Sequence, residues 1–161
     1  MISFLNKKYA NLGDPKFFRL APVICYLSDV LVVYYVISTQ LPKLINTKMI
    51  KLVIGLMNSQ VARNMTRSDF SDISIMMQNQ MAFALSIFLV FHLFIYALAA
   101  FKKNWPLKYI SNYTFFGSLL TIIEVGLVLL STGHISIFTF IALLGYLYVY
   151  LGYRYFKKVA Q

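Results

Sequence analysis

The sequence predicts an all-α integral membrane protein: a bundle of four transmembrane helices with an outer amphipathic helical segment, forming a single membrane domain over 1–161. Three observations predict it. First, 60% of the 161 residues are hydrophobic and only 12% are charged, against roughly 45–50% and 25% in soluble domains. Second, four stretches are long enough for a hydrocarbon core, which takes about 20 mostly apolar residues as a helix. Third, Lys and Arg gather at the ends of those stretches, as orientation in a bilayer requires. The net charge of +10 is therefore a topological signal, and no nucleic-acid partner is expected.

The first span, Leu20–Thr39, holds twenty residues and one charge, Asp29. It is longer than a signal-peptide core, and no small-x-small cleavage pattern follows it, so it is read as a permanent helix. The second, Met81–Phe101, has no formal charge and one histidine, His92. The third, Tyr109–Ser131, carries Glu124, and the fourth, Ile135–Tyr153, carries no charge. The short Ser131-Thr132-Gly133-His134 turn makes the last two an antiparallel hairpin. Alternation of Tyr146, Tyr148 and Tyr150 has the period of a strand, but a lone strand cannot satisfy its backbone in lipid.

Orientation follows the basic residues. Ten (Lys7, Lys8, Lys16, Arg19, Lys102, Lys103, Lys108, Arg154, Lys157 and Lys158) fall on one side. Five (Lys43, Lys48, Lys51, Arg63 and Arg67) fall on the other, diluted by Asp69 and Asp72. Both termini are accordingly expected in the cytoplasm, and residue usage points to a bacterial inner membrane. Trp105, Tyr109 and Tyr113 then form an aromatic belt at the cytoplasmic interface.

The loop at 40–80 is too long for a plain connector. Met49, Ile50, Val53, Leu56 and Met57 recur on one helical face. That suits a helix lying in the membrane interface or a soluble helix folded over the outer ends of the bundle, and the loop is read as a candidate partner surface. Ser68-Asp69 and Ser71-Asp72 read as helix starts, so the second helix is expected to begin outside the bilayer.

Three ionisable residues inside the spans carry the functional expectation, since a charge at mid-bilayer costs about 2.5–3.5 kcal/mol on insertion scales and marks a bundle interior. Asp29 is ten residues from Arg19 and His92 ten from Lys102, so each lies about 15 Å deep. Equal depth suggests that they pair, with the Tyr96 hydroxyl one turn from His92 joining them. Gly117, Thr121 and Glu124 share one face of the third helix, with Glu124 nearer the outer side. In the fourth helix, Ala142, Gly145, Val149 and Gly152 form a small-residue face for helix packing or for an oligomer, and Tyr146, Tyr150 and Tyr153 form a packing stripe.

Other chemistries find no signature. The single Cys25 excludes an internal disulfide and a CxxC pair. No metal-ligand spacing, nucleophile elbow, phosphate loop or dinucleotide turn occurs, so no metal or cofactor is expected. The layout is similar to that of tetraspan groups such as the sterol-isomerase-related sigma-2 receptor family, in topology and in an acid in the first span. Phe88 and His92 stand where a second acid is absent from the second span, and no function carries over.

The expected function is conduction or coupling of ions or protons through Asp29, His92, Tyr96, Thr121 and Glu124, with the bilayer as partner. A homo-oligomer or a place in a larger membrane complex is expected with it. The alternative is a non-catalytic accessory or immunity-type protein that binds another membrane protein. A lipid-modifying enzyme with His92 as general base is the third reading.

Overall fold

The computed structural model describes residues 14–100 and 104–159. Lys7, Lys8, Phe101, Lys102 and Lys103, used in the readings above, lie outside the described residues. All regular structure among the described residues is helical. In chain order it runs α1 Asp14–Tyr35, a π-helical turn Val36–Gln40, α2 Leu41–Leu44, α3 Thr47–Met57, α4 Ser59–Asn64, α5 Arg67–Ala100, α6 Asn104–Thr132 and α7 Ile137–Val159.

Among the described residues, four helical stretches are long and apolar enough to cross a membrane: Lys16–Leu44, Arg67–Ala99, Trp105–Leu130 and Ile137–Tyr155. Their exposed side chains fit the same solvent, because Val90, Phe94, Leu120 and Leu127 stand out from α5 and α6 as large apolar groups. Tyr146–Tyr150 lie in the middle of α7, helical as expected despite their strand-like alternation.

Helix ends follow local chemistry. Asn46 caps α3 by accepting from the Met49 amide at 3.0 Å, and Asn58 caps α4 by accepting from the Gln60 and Val61 amides. The second long helix does not start at either serine of the loop. Thr66 starts it in a reciprocal cap, in which the Thr66 amide donates to Asp69 Oδ2 at 2.7 Å and the Asp69 amide donates back to Thr66 Oγ1 at 3.3 Å. With 34 residues, α5 is about 51 Å long, well beyond a ~30 Å hydrocarbon core. Between α6 and α7, Gly133 takes φ +70°, a left-handed cap that glycine adopts without strain, and its amide donates to the Leu129 carbonyl at 2.9 Å.

The chain divides into two compact units, residues 33–88 and residues 1–32 with 89–161. In the first, Leu41, Ile50 and Phe70 are buried. Ser74 Oγ and Gln78 Nε2 both donate to the Ile45 carbonyl at 2.7 Å, anchoring the break between α2 and α3 to α5. Within the π turn's surroundings, Gln40 Nε2 donates to Tyr35 Oη at 2.7 Å. In the second unit, Phe17, Ala21, Cys25, Tyr96, Ala99, Ile110, Val149 and Tyr153 form the apolar core. Everything in the site described next belongs to that unit.

Candidate functional site

Asp29 is 1% exposed on α1. Its carboxylate accepts one tyrosine hydroxyl from each of the other three long helices. Tyr96 of α5 donates to Oδ2 at 2.5 Å, while Tyr113 of α6 and Tyr146 of α7 donate to Oδ1 at 2.8 and 2.6 Å. A hydrogen bond to a charged group contributes about 1.5–3 kcal/mol. Three such bonds offset part of the desolvation that burial of a carboxylate costs.

His92 is also 1% exposed. Its Nε2 shares a hydrogen bond with Tyr109 Oη at 2.8 Å, the direction being set by the imidazole tautomer. The imidazole lies 4.7 Å from the Tyr113 ring and 5.6 Å from the Tyr96 ring, centroid to centroid. Tyr109 and Tyr113, one helical turn apart, stack at 5.7 Å with their planes 9° apart. The six side chains Asp29, His92, Tyr96, Tyr109, Tyr113 and Tyr146 thus make one cluster, with the acid and the imidazole each bonded to tyrosine.

Small residues let the tyrosines in. Gly117 faces the Tyr146 ring, where an added Cβ would sit 3.4 Å from Cδ2 and Cε2. At Gly145 a Cβ would strike Ser28 Oγ and crowd Ile24, and at Gly152 it would strike the Phe17 ring. The small-residue face of α7 therefore packs against α1 of the same chain, and Ala142 and Val149 on it are fully buried.

The sequence-predicted residues divide accordingly. Asp29, His92 and Tyr96 come together, with the tyrosines supplying the hydrogen bonds to the acid. Thr121 is buried, but its hydroxyl donates to the Gly117 carbonyl of its own helix at 2.5 Å. Glu124 is half-buried and stands eleven residues beyond Tyr113, about 16 Å along α6, outside the cluster. In the outer segment Met49, Val53, Leu56 and Met57 are exposed, whereas Ile50 is buried and belongs to the fold. Sequence reasoning missed Tyr109, Tyr113 and Tyr146, assigning the first two to an interfacial belt and the third to packing. Tyr146 lies eight residues from Arg154, about 12 Å deep, which already put it near the level of Asp29.

Chemically, the cluster brings a carboxyl and an imidazole, each hydrogen-bonded to tyrosine, among four long helices, so the acid is tied to α1, α5, α6 and α7 at once. No group of three or more potential metal ligands occurs among the described residues. Comparison of the chain with protein families, with curated proteins and with solved structures finds no match.

Proposed function

We propose that the protein is a four-helix membrane protein that couples proton or cation occupancy at Asp29 to the arrangement of its helices. One observation carries this reading: a single buried carboxylate holds one hydroxyl from each of three other helices. Loading or unloading it re-sorts three interhelical bonds together, which is the requirement for a bistable element biased by one site. The His92–Tyr109 pair supplies the approach, because Tyr109 is partly exposed and follows Lys108 at the basic end of α6.

Coupling is favoured over a continuous pore within one chain. Thr121 spends its hydroxyl inside its own helix, and about 16 Å of α6 separates Glu124 from Tyr113. A path reaching Glu124 as an outer mouth requires a second copy or a larger complex. The excess of Lys and Arg on one side supports an orientation with both termini in the cytoplasm, and residue usage supports a bacterial inner membrane. The accessory reading keeps one supporting observation: Leu56 and Met57 of α3 are 81% and 83% exposed, an apolar edge available to another membrane protein.

The test is proton movement in liposomes holding the purified chain, beside Asp29→Asn of the same oligomeric state. Wild type is expected to take up or move protons under an imposed pH gradient, and the variant to lose that response. A wild type silent under both a pH gradient and a potential overturns the proposal. Loss of partner capture in a Leu56→Gln/Met57→Gln variant with unchanged proton response would favour the accessory reading.

A further inference from the structure

A second polar site lies at the basic end of the hairpin, apart from the Asp29 cluster. Ser111, Asn112 and Phe115 of α6 and Tyr150, Tyr153 and Arg154 of α7 line a cleft of about 270 Å³. No acidic side chain among the described residues lines it. Its wall is built: the Phe115 and Tyr150 rings pack at 5.4 Å, and the Arg154 guanidinium sits 5.5 Å over the Tyr150 ring. Stacking of this kind holds an arginine fork in place for bidentate binding.

One of the lining residues, Tyr153, carries an unmet donor. Tyr153 is 8% exposed, and its hydroxyl is the buried side-chain polar atom without a hydrogen-bond partner among the described residues. Such a group is costly unless something completes it. An acceptor oxygen brought into the cleft would do so, and the lining offers it a cation, a hydroxyl and an amide besides.

The surroundings specify the rest of the ligand. Lys108, Ser111, Asn112, Phe115, Leu119 and Ile122 follow one stripe of α6. Past the polar end, Phe115, Leu119 and Ile122 are 42%, 45% and 49% exposed. The stripe therefore passes from cationic through polar to apolar along a helix long enough to cross a membrane. A free anion has no use for the apolar stretch, whereas an acyl chain does.

We infer that this cleft binds the phosphate of an anionic membrane phospholipid, with Arg154 as counter-ion, Ser111, Asn112 and Tyr153 as hydrogen-bonding groups, and an acyl chain along Phe115, Leu119 and Ile122. The site is independent of the Asp29 reading. It needs only that α6 and α7 cross the bilayer.

The single tryptophan, Trp105, lies six residues from Ser111 and reports on the site. The full chain is placed in phosphatidylcholine vesicles carrying a rising minor fraction of brominated phosphatidylglycerol, and quenching of Trp105 is read against brominated phosphatidylcholine. Wild type is expected to prefer the anionic lipid by about tenfold, the worth of one charge-assisted contact. Arg154→Gln should abolish the preference, Arg154→Lys should keep part of it, and Tyr153→Phe should weaken it about threefold. Equal quenching by the two lipids in wild type overturns the inference, as does an undiminished preference in both Arg154→Gln and Tyr153→Phe. Relief of the quenching by millimolar inorganic phosphate would assign the site to a free anion and overturn the lipid assignment.

Discussion

Replacing Tyr146 by Phe removes one hydroxyl and leaves the ring in its place against Gly117. The lost bond is 2.6 Å long, ends on a carboxylate and is shielded from water, with Tyr146 3% and Asp29 1% exposed. Interhelical hydrogen bonds in membranes average about 0.6 kcal/mol and reach about 1.7. Bonds to charged groups run about 1.5–3. Tyr96 and Tyr113 still hold the carboxylate in the variant, so the large penalty of a stripped buried charge does not arise. Tyr146→Phe should therefore cost about 1.5 kcal/mol. Reversible unfolding in mixed micelles of rising dodecyl sulfate fraction measures it, with an unchanged slope showing that the same transition is followed. Combining the substitution with Asp29→Asn completes a double-mutant cycle, and the coupling should be about 1 kcal/mol, since the amide oxygen still accepts but carries no charge. A loss under about 0.3 kcal/mol with no coupling would mean that the carboxylate does not join the helices energetically, and the reasoning from it would fail.

Other outcomes follow from features already described. Gly145→Ala and Gly152→Ala should each destabilise by about 1–3 kcal/mol in the same assay, because the new methyl meets Ser28 or the Phe17 ring. Gly126→Ala should instead be neutral or stabilising by up to about 1 kcal/mol, since nothing lies within 4 Å of its Cβ position and alanine is the better helix former. Ser74→Ala with Gln78→Ala removes both side-chain donors to the Ile45 carbonyl and should cost about 1–3 kcal/mol, read as faster backbone hydrogen exchange around Ile45–Met49. Thr66→Ala should lose about 1 kcal/mol and fray the first turn of α5, seen as lost protection at Phe70.

The helical class was legible because apolar length is a one-dimensional property: four stretches long and apolar enough to cross a membrane can be counted without knowing how they meet. The 1.5 Å rise likewise sets Asp29 and His92 at matching distances from Arg19 and Lys102, and both belong to one buried cluster. Which faces meet was not. Periodicity groups Tyr146 with Tyr150 and Tyr153 on one side of α7, yet Tyr146 bonds Asp29 while Tyr150 and Tyr153 line a different cleft. Tyr113 carries the composition of an interfacial belt, and only its approach to α1 reveals it as a carboxylate ligand. Ile50 shows the converse. It shares the apolar face of Met49 and Val53, and burial separates it from them because α3 has one side against its own unit. The start of α5 was misjudged by two to five residues because Thr66, Ser68 and Ser71 all have cap chemistry, and only the paired bonds between Thr66 and Asp69 choose among them.

The three-tyrosine arrangement at Asp29 also bears on how the protein is assembled. In the proposed membrane setting, synthesis delivers α1 first, so the acid would enter the bilayer with none of its donors present, at an insertion cost of about 2.5–3.5 kcal/mol that the apolar remainder of the helix must outweigh. Tyr96 arrives with α5, Tyr113 with α6 and Tyr146 only with α7. An unfinished or wrongly threaded chain keeps an under-coordinated acid in lipid, and so stays less tightly closed and more open to membrane proteases than the finished one. The residue that links the helices in the mature protein thereby also marks, during biogenesis, whether all of them have arrived.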